Sequence, residues 1–288
     1  MKKPVSISLA IIILAAGFIL FSGGVGSAHI LSVDDGSFVT FGRMIDDLEG
    51  VNLVFIGELH DHEADHQAQL EIIRALFESD VQLAIGLEMF QKESQSSLDQ
   101  WVEGKIGESE FQKIFDRNWG MWPLYEPIFR YARENEIPMV GLNLSREITG
   151  QVASKGFSSL SPAQLSRLPT GVTCTVSPAY RDFIQRALKG HFHSQNTFSH
   201  FCEAQMLWDS VMAQNLLAYL RAHPGRTVVV LAGAGHAWKF GIPNRIREQS
   251  DFSFRVILPE IPGRITAENI TPAEGDYLLI GLGEGPLH

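Results

Sequence analysis

Residues 51–66 read VNLVFIGELHDHEADH, an almost unbroken apolar run that gives way at Gly57 to a cluster of acids and histidines. An apolar run of strand length without polar alternation suits a strand covered on both faces, as in a parallel sheet. Three further segments share this character: VQLAIGLEM (81–89), IPMVGLN (137–143) and TVVVLAGAG (227–235). Helical stretches lie between them. From Ala68 to Phe77 the residues Leu70, Ile73, Ala75, Leu76 and Phe77 recur at helical spacing, and Pro127 to Asn135 continues in the same way. This alternation predicts an α/β fold, a three-layer α/β/α sandwich around a largely parallel sheet.

Residues 150–200 break the rhythm with KGFSSLSPAQLSRLPTG, PAYRDFIQRALKG and HFHSQNTFSH, and a helical insertion or cap is expected there. The strongest helix follows, FCEAQMLWDSVMAQNLLAYLRAHPG, ended by His223-Pro224-Gly225. Its Met206, Leu207, Val211, Met212, Leu216 and Leu217 read as core packing. DYLLIGLG near the end is expected to add a last strand. With no repeats and no long linker, residues 29–288 read as one domain, and 288 residues suffice for a sizeable core.

A hydrophobic content of 45% with 19% charged residues is that of a globular protein. The net charge of −10, without any lysine- or arginine-rich run, argues against nucleic acid as a partner. At the N-terminus, Lys2 and Lys3 precede an uncharged apolar run from Val5 to Phe21 and then SGGVGSA. Residues 1–28 are read as a signal peptide cleaved after Ala28, with an uncleaved anchor as the alternative, since spanning a bilayer takes about 17 residues. The protein is therefore expected to be exported, either periplasmic or membrane-anchored facing the periplasm. Cys174 and Cys202 both fall in the exported part; they could pair in an oxidising compartment or stay as separate thiols.

Each of the four apolar runs leads into chemically capable residues: Glu58 and His60, then Glu88, then Asn143 and Arg146, then His236. In parallel α/β sheets the ligand crevice lies outside the carboxyl ends of the strands, so neighbouring strands would bring these groups together. His60 and His236 with a carboxylate can hold a divalent metal and leave a position for water. Without metal, a His–Glu pair can activate water while Arg146 stabilises developing negative charge. If the protein is an enzyme, Glu58, His60, Glu88, Arg146 and His236 are its expected catalytic set. Gly57 and Gly233 are expected to let the backbone turn sharply at the strand ends. His62-Glu63-Ala64-Asp65-His66 also matches the H-E-x-x-H pattern of zinc peptidases. That pattern needs both histidines inside a helix and facing the metal, whereas His62 falls at a loop-to-helix junction, so a chance match is expected.

The segments FIGELHDHEADHQAQLEII, IGLEMFQ, YEPIFRYARENEIPMVGLNLSREI, FCEAQMLWDSVMAQNLL and VVVLAGAGHAWKFGIPNRI, in this order, resemble the ChaN-like haem-binding proteins. These form a branch of the Tiki/TraB and erythromycin-esterase superfamily. The resemblance implies a three-layer fold, export, haem binding for iron uptake, and a homodimer that encloses two stacked haems. Enzymatic branches of the superfamily hydrolyse substrates with paired G-x-x-H motifs and a glutamate, metal-dependent in the Tiki proteases. By resemblance, Gly57–His60 and Gly233–His236 fill both positions. His66 belongs to the same family segment, which makes His60, His66, His236 and Glu58 the expected metal set and leaves Glu63 without a role. Lipid anchoring is not expected, because no lipobox cysteine is present. Haem iron takes histidine, tyrosine, cysteine or methionine, and Tyr180, His191, His193 and His200 are the haem candidates. Exported haem binding for iron uptake is thus the leading expectation, and a divalent-metal-dependent hydrolase the alternative.

Overall fold

In a computed structural model, residues 28–172, 174–187, 195–283 and 287 are described. Eight strands form one sheet: β1 (His29–Ser32), β2 (Phe38–Val39), β3 (Leu53–Glu58), β4 (Leu83–Gln91), β5 (Met139–Asn143), β6 (Thr227–Gly233), β7 (Phe254–Pro259) and β8 (Tyr277–Ile280). Their spatial order is β2-β1-β8-β7-β3-β6-β4-β5. All pairings from β8 to β5 are parallel, and the β1–β2 hairpin closes one edge antiparallel.

The continuous apolar runs follow from burial on both faces. Along β3, Leu53 and Phe55 pack into one core while Val54 and Ile56 pack into the other; along β6, Val228, Val230 and Ala232 alternate with Val229 and Leu231. The two-residue strand period makes this division automatic. Helices α1 (Phe41–Leu48), α2 (Glu63–Glu78), α3 (Gln95–Val102), α4 (Glu108–Asn118) and α5 (Trp122–Glu134) cover the first face. α6 (Arg146–Lys155) and the short α7 (Pro162–Leu165) follow β5, and α8 (Pro178–Ala187) and α9 (Gln195–Ala222) lead into β6. The one-turn α10 (Ala234–Ala237) and α11 (Ile242–Arg247) come after it. α8 to α11 pack on the second face, while α6 joins α9 in a satellite core of Ile148, Val152, Leu207 and Val211. The fold is therefore the expected three-layer, mostly parallel α/β architecture.

The expected strands are present with trimmed ends. Two features lay outside the sequence expectation: the β1–β2 hairpin and β7, whose FRVILP begins half-buried at Phe254 and Arg255. At the opposite edge, the Gln95 side chain donates to Met139 O (2.8 Å) and accepts from Gly141 N (2.9 Å). Its carboxamide thus stands in for a neighbouring strand and covers backbone groups that an open edge would offer to another chain. Cys174 and Cys202 are both free thiols. Cys174 Sγ donates to Glu203 O, and burial pushes its pKa up to about 12 and that of Cys202 up to about 11.

Candidate functional site

Strands β3, β6 and β4 are adjacent, and Glu58 lies level with Gly233 in the register. Glu58, Glu88 and His236 therefore meet at one sheet end, with His60 just beyond β3. They line, or stand directly behind, a cleft of about 470 Å³ whose walls include Trp119, Asn143, Leu144, Arg146 and Trp208.

The first cluster is built around Glu58, which is 1% exposed. Its Oε1 accepts from Tyr125 Oη at 2.5 Å and meets His60 Nδ1 at 2.8 Å. Its Oε2 accepts from Gln69 Nε2 at 2.7 Å and lies 3.5 Å from His66 Nδ1. Burial pushes the Glu58 carboxyl up, but His60, His66 and Tyr125 outweigh it and hold the pKa below its ordinary value. His60 is moved the other way: burial presses it down, while Glu58 and Glu88 raise it overall. Its ring meets Trp119 edge-on at 5.0 Å.

The second cluster joins β6 to α9. After Gly233 the single turn of α10 carries His236 back over the sheet end, where its Nδ1 meets Asp209 Oδ1 at 2.6 Å. Asp209 is fully buried, and its other oxygen accepts from Tyr180 Oη at 2.6 Å. His236 Nε2 points toward Glu88 Oε1 at 3.7 Å. Burial presses the His236 pKa down, yet Glu88 and Asp209 together lift it to about 9.

Glu88 stands between the clusters. Its Oε2 accepts from the Gly233 N–H at 2.7 Å, and Asn143 Nδ2 donates to its backbone carbonyl at 2.7 Å. The site therefore reads Tyr125–Glu58–His60, then Glu88, then His236–Asp209–Tyr180: two tyrosine–carboxylate–histidine chains facing a shared glutamate. Arg146 is exposed at the cleft rim, lies 5.8 Å over Trp119 and donates to Asn118 O at 2.8 Å.

The glycines act differently from the expectation. Gly233 has φ −53 and Gly57 is absent from the positive-φ residues, so neither supplies a left-handed turn. They supply space. A Cβ on Gly233 would stand 2.8 Å from His60 Cε1, and one on Gly57 would stand 2.9 Å from Leu258 Cδ2 and 3.2 Å from Ala234 Cα.

The metal expectation finds no support among the described residues. His60, His66, His236 and Glu58 do lie at the same sheet end, but as hydrogen-bond partners. Among the described residues no group of three or more His, Cys, Asp or Glu is placed to hold a metal ion. Both Glu58 oxygens are occupied by neighbouring donors, and His66 Nε2 donates to His60 O at 3.1 Å. The H-E-x-x-H match also dissolves into local structure. Asp65 Oδ1 meets His62 Nδ1 at 2.7 Å and its Oδ2 accepts from Leu59 N at 2.7 Å, so Asp65 clamps the loop that presents His60. Of the haem candidates, Tyr180 is buried at 3% exposure against Asp209, and His200 is half-buried beside Gly156. His191 and His193 lie outside the described residues.

Asp209, Tyr125, Gln69, Trp119 and Trp208 complete the site without having been expected there. Only Asp209 left a signal. It falls in the apolar stripe of its helix, three residues after Met206 and four before Ala213, both fully buried. A lone acid on a core-facing stripe requires a buried partner.

Residues 44–246 match the family described as haem-binding uptake, Tiki superfamily, ChaN. Among solved structures, the fold resembles ChaN of Campylobacter jejuni, described with cofacial heme binding, at TM-score 0.70 and 22% identity over 88% of this chain and 96% of that one. The type III effector HopBA1 follows at TM-score 0.50 and 15% identity, over 85% and 92% of the two chains. A curated relative, Protein RETICULATA-RELATED 5, chloroplastic, of Arabidopsis thaliana, is 28% identical over 130 residues, which is 42% of this chain and only 18% of that protein. With the family match spanning most of the chain, and the fold agreeing with it, the protein belongs to the ChaN family of the Tiki superfamily.

Proposed function

We propose that the protein is an exported haem-binding protein that serves haem and iron uptake. The family match over residues 44–246 carries this reading. Haem in such a protein is cargo, so the chain must supply an apolar face, counter-charges for the carboxylates and a donor for iron. The cleft fits the first two requirements: Trp119, Leu144, Ala153 and Trp208 give it apolar walls, and Arg146 forms no ion pair among the described residues. Of the donor types that iron accepts, the cleft presents His60 and His236. Export rests on the N-terminal apolar segment, with the mature chain periplasmic or anchored through that segment. Assembly as a homodimer on haem binding belongs to the same proposal, and the cofacial heme binding described for the Campylobacter jejuni protein supports it. Mixing the purified chain with hemin should shift the Soret band and double the molecular mass. A titration to several-fold excess that leaves both unchanged removes this reading.

A second reading is favoured by one observation. Two histidines, each held through Nδ1 by a buried carboxylate, face one cleft with the Arg146 guanidinium at its rim. That arrangement suits hydrolysis of an acyl substrate by activated water. Turnover on a panel of esters and amides, lost in His60→Ala, would support it; a panel no faster than buffer would remove it.

A further inference from the structure

We propose that Asp209, backed by Tyr180, fixes the orientation and tautomer of His236 and makes it the proton donor of the cleft, opposite His60 as proton acceptor. This rests on the hydrolytic reading of the site and extends it to a division of labour and a substrate class. The carboxylate that holds His236 is fully buried and contacts Nδ1 at 2.6 Å, so that nitrogen carries its proton toward Asp209 and Nε2 is left to act on the cleft side. The Tyr180 hydroxyl occupies the second oxygen of Asp209 and prevents the carboxylate from rotating away. His60 differs in setting. Its side chain is 37% exposed, against 10% for His236, so water reaches His60 more readily. The charged groups around His236 are Asp209 and Glu88, with His60 across Glu88. Both imidazoles face two carboxylates, so it is enclosure that divides them: the buried His236 keeps its proton in the cleft, whereas the more open His60 exchanges its proton with solvent.

The substrate class follows from what lines the cleft. Among the described residues no serine or cysteine side chain lines it, and the Thr149 hydroxyl is turned to the Arg146 carbonyl, so attack falls to water. Glu88 repels an anion near the reacting centre, and the walls are apolar, which suits an uncharged carboxylic ester. His60 Nε2 takes a proton from water as the water oxygen bonds to the carbonyl carbon. The carbonyl electron pair moves onto its oxygen, where Arg146 can stabilise it. As the carbon–oxygen bond to the alcohol breaks, the leaving alkoxide takes the Nε2 proton of His236. One proton passed from His60 to His236 through Glu88 or water restores the starting state, with acid and alcohol as products.

Two esters separate this role from a merely structural one. A 4-nitrophenyl ester has a leaving group that departs without protonation, whereas the ethyl ester of the same acid needs the donor. Asp209→Asn should slow the ethyl ester about 100-fold while leaving the nitrophenyl ester within a few-fold, and Tyr180→Phe should do the same more weakly. Equal losses on both esters overturn the assignment. If the wild-type chain hydrolyses neither ester, the hydrolytic reading fails by itself. The positioning role is then judged on ¹⁵N spectra of the His236 ring. A protonated, hydrogen-bonded Nδ1 that is lost or shifted in Asp209→Asn supports it; a ring unchanged by Asp209→Asn overturns it.

Discussion

The two tyrosine–carboxylate–histidine chains are alike in composition and opposite in construction. Glu58 and His60 are two residues apart, and the helix that follows them supplies Gln69 and His66. Asp209 and His236 are 27 residues apart, and Tyr180 comes from another helix again. Among the described residues the first carboxylate has four neighbours, and its histidine is partly open to water. The second has two among them, and its histidine is almost enclosed. A locally built chain shares its charge among many partners, whereas a chain assembled from distant elements depends on each of them. The second chain should therefore be the more fragile and the more strongly pH-dependent.

The largest difference is expected from removing the carboxylates. Asp209→Ala leaves a buried imidazole facing Glu88 alone and a buried tyrosine hydroxyl without its acceptor, a loss of about 3–5 kcal/mol. Glu58→Gln keeps an acceptor for Tyr125 and retains the shape, and should cost less, roughly 1–3 kcal/mol. Urea unfolding of both variants gives the order directly. If Glu58→Gln proves the costlier change, local construction does not protect the first chain.

The pH dependence should divide the same way. The His236 pKa is raised from its ordinary 6.5 to about 9, so its contribution to stability is complete below about 6.5 and disappears as pH rises through about 9. The Glu58 pKa is lowered from its ordinary 4.5, so its contribution is present above 4.5 and disappears as pH falls through the lowered value. His60 adds a smaller alkaline component, discounted because its side chain is 37% exposed. Melting temperatures should decline on both sides of neutrality. Asp209→Asn should flatten the alkaline decline and Glu58→Gln the acid one. An alkaline decline unchanged in Asp209→Asn would show that His236 is not held by that carboxylate.

The same contrast explains what the sequence disclosed. β3, β4, β5 and β6 were legible because strands buried on both faces need unbroken apolar runs. β7 was not, since Arg255 near its start is held by Asp47 at the sheet margin (2.6 and 2.9 Å) and interrupts the run. Glu58, His60, Glu88 and His236 were legible as polar residues at the ends of such runs. Tyr125 and Tyr180 were not, because a tyrosine on an amphipathic helix looks the same whether its hydroxyl meets water or a buried carboxylate. Asp209 stood in view as an acid in an apolar stripe, but its partner lies on a different element, and no local spacing joins them. The partners of the metal candidates were hidden for a related reason: spacing brings histidines to one place without showing which neighbours engage them.

A change of intermediate size tests the glycine that lets the two chains approach. Gly233→Ala would put a Cβ 2.8 Å from His60 Cε1 and 2.9 Å from its Nε2, closer than real contacts allow. The ring must move off Glu58 or the β6 backbone must shift, at about 1–3 kcal/mol. Thermal unfolding measures the loss, and the His60 ring resonances should change more than those of His236. A larger disturbance at His236 would mean that the backbone, and not the ring, gives way.

The smallest effects are expected at the tyrosine ends, and there the two chains can be compared on one chemical change. Tyr125→Phe removes one donor from Glu58 Oε1, but His60 Nδ1 still contacts that oxygen at 2.8 Å and Gln69 still serves the other at 2.7 Å. Tyr180→Phe removes the hydroxyl from Asp209 Oδ2, and the remaining contact, His236, is on Oδ1. A carboxylate oxygen buried without a donor bears its full desolvation cost, whereas one that keeps a donor loses only the net value of a bond. Tyr180→Phe should therefore cost about 2–3 kcal/mol and Tyr125→Phe about 1 kcal/mol. Equal costs, measured by urea unfolding under one set of conditions, would mean that water enters behind Asp209 and replaces the hydroxyl. The second chain would then be better supported than its two protein neighbours imply.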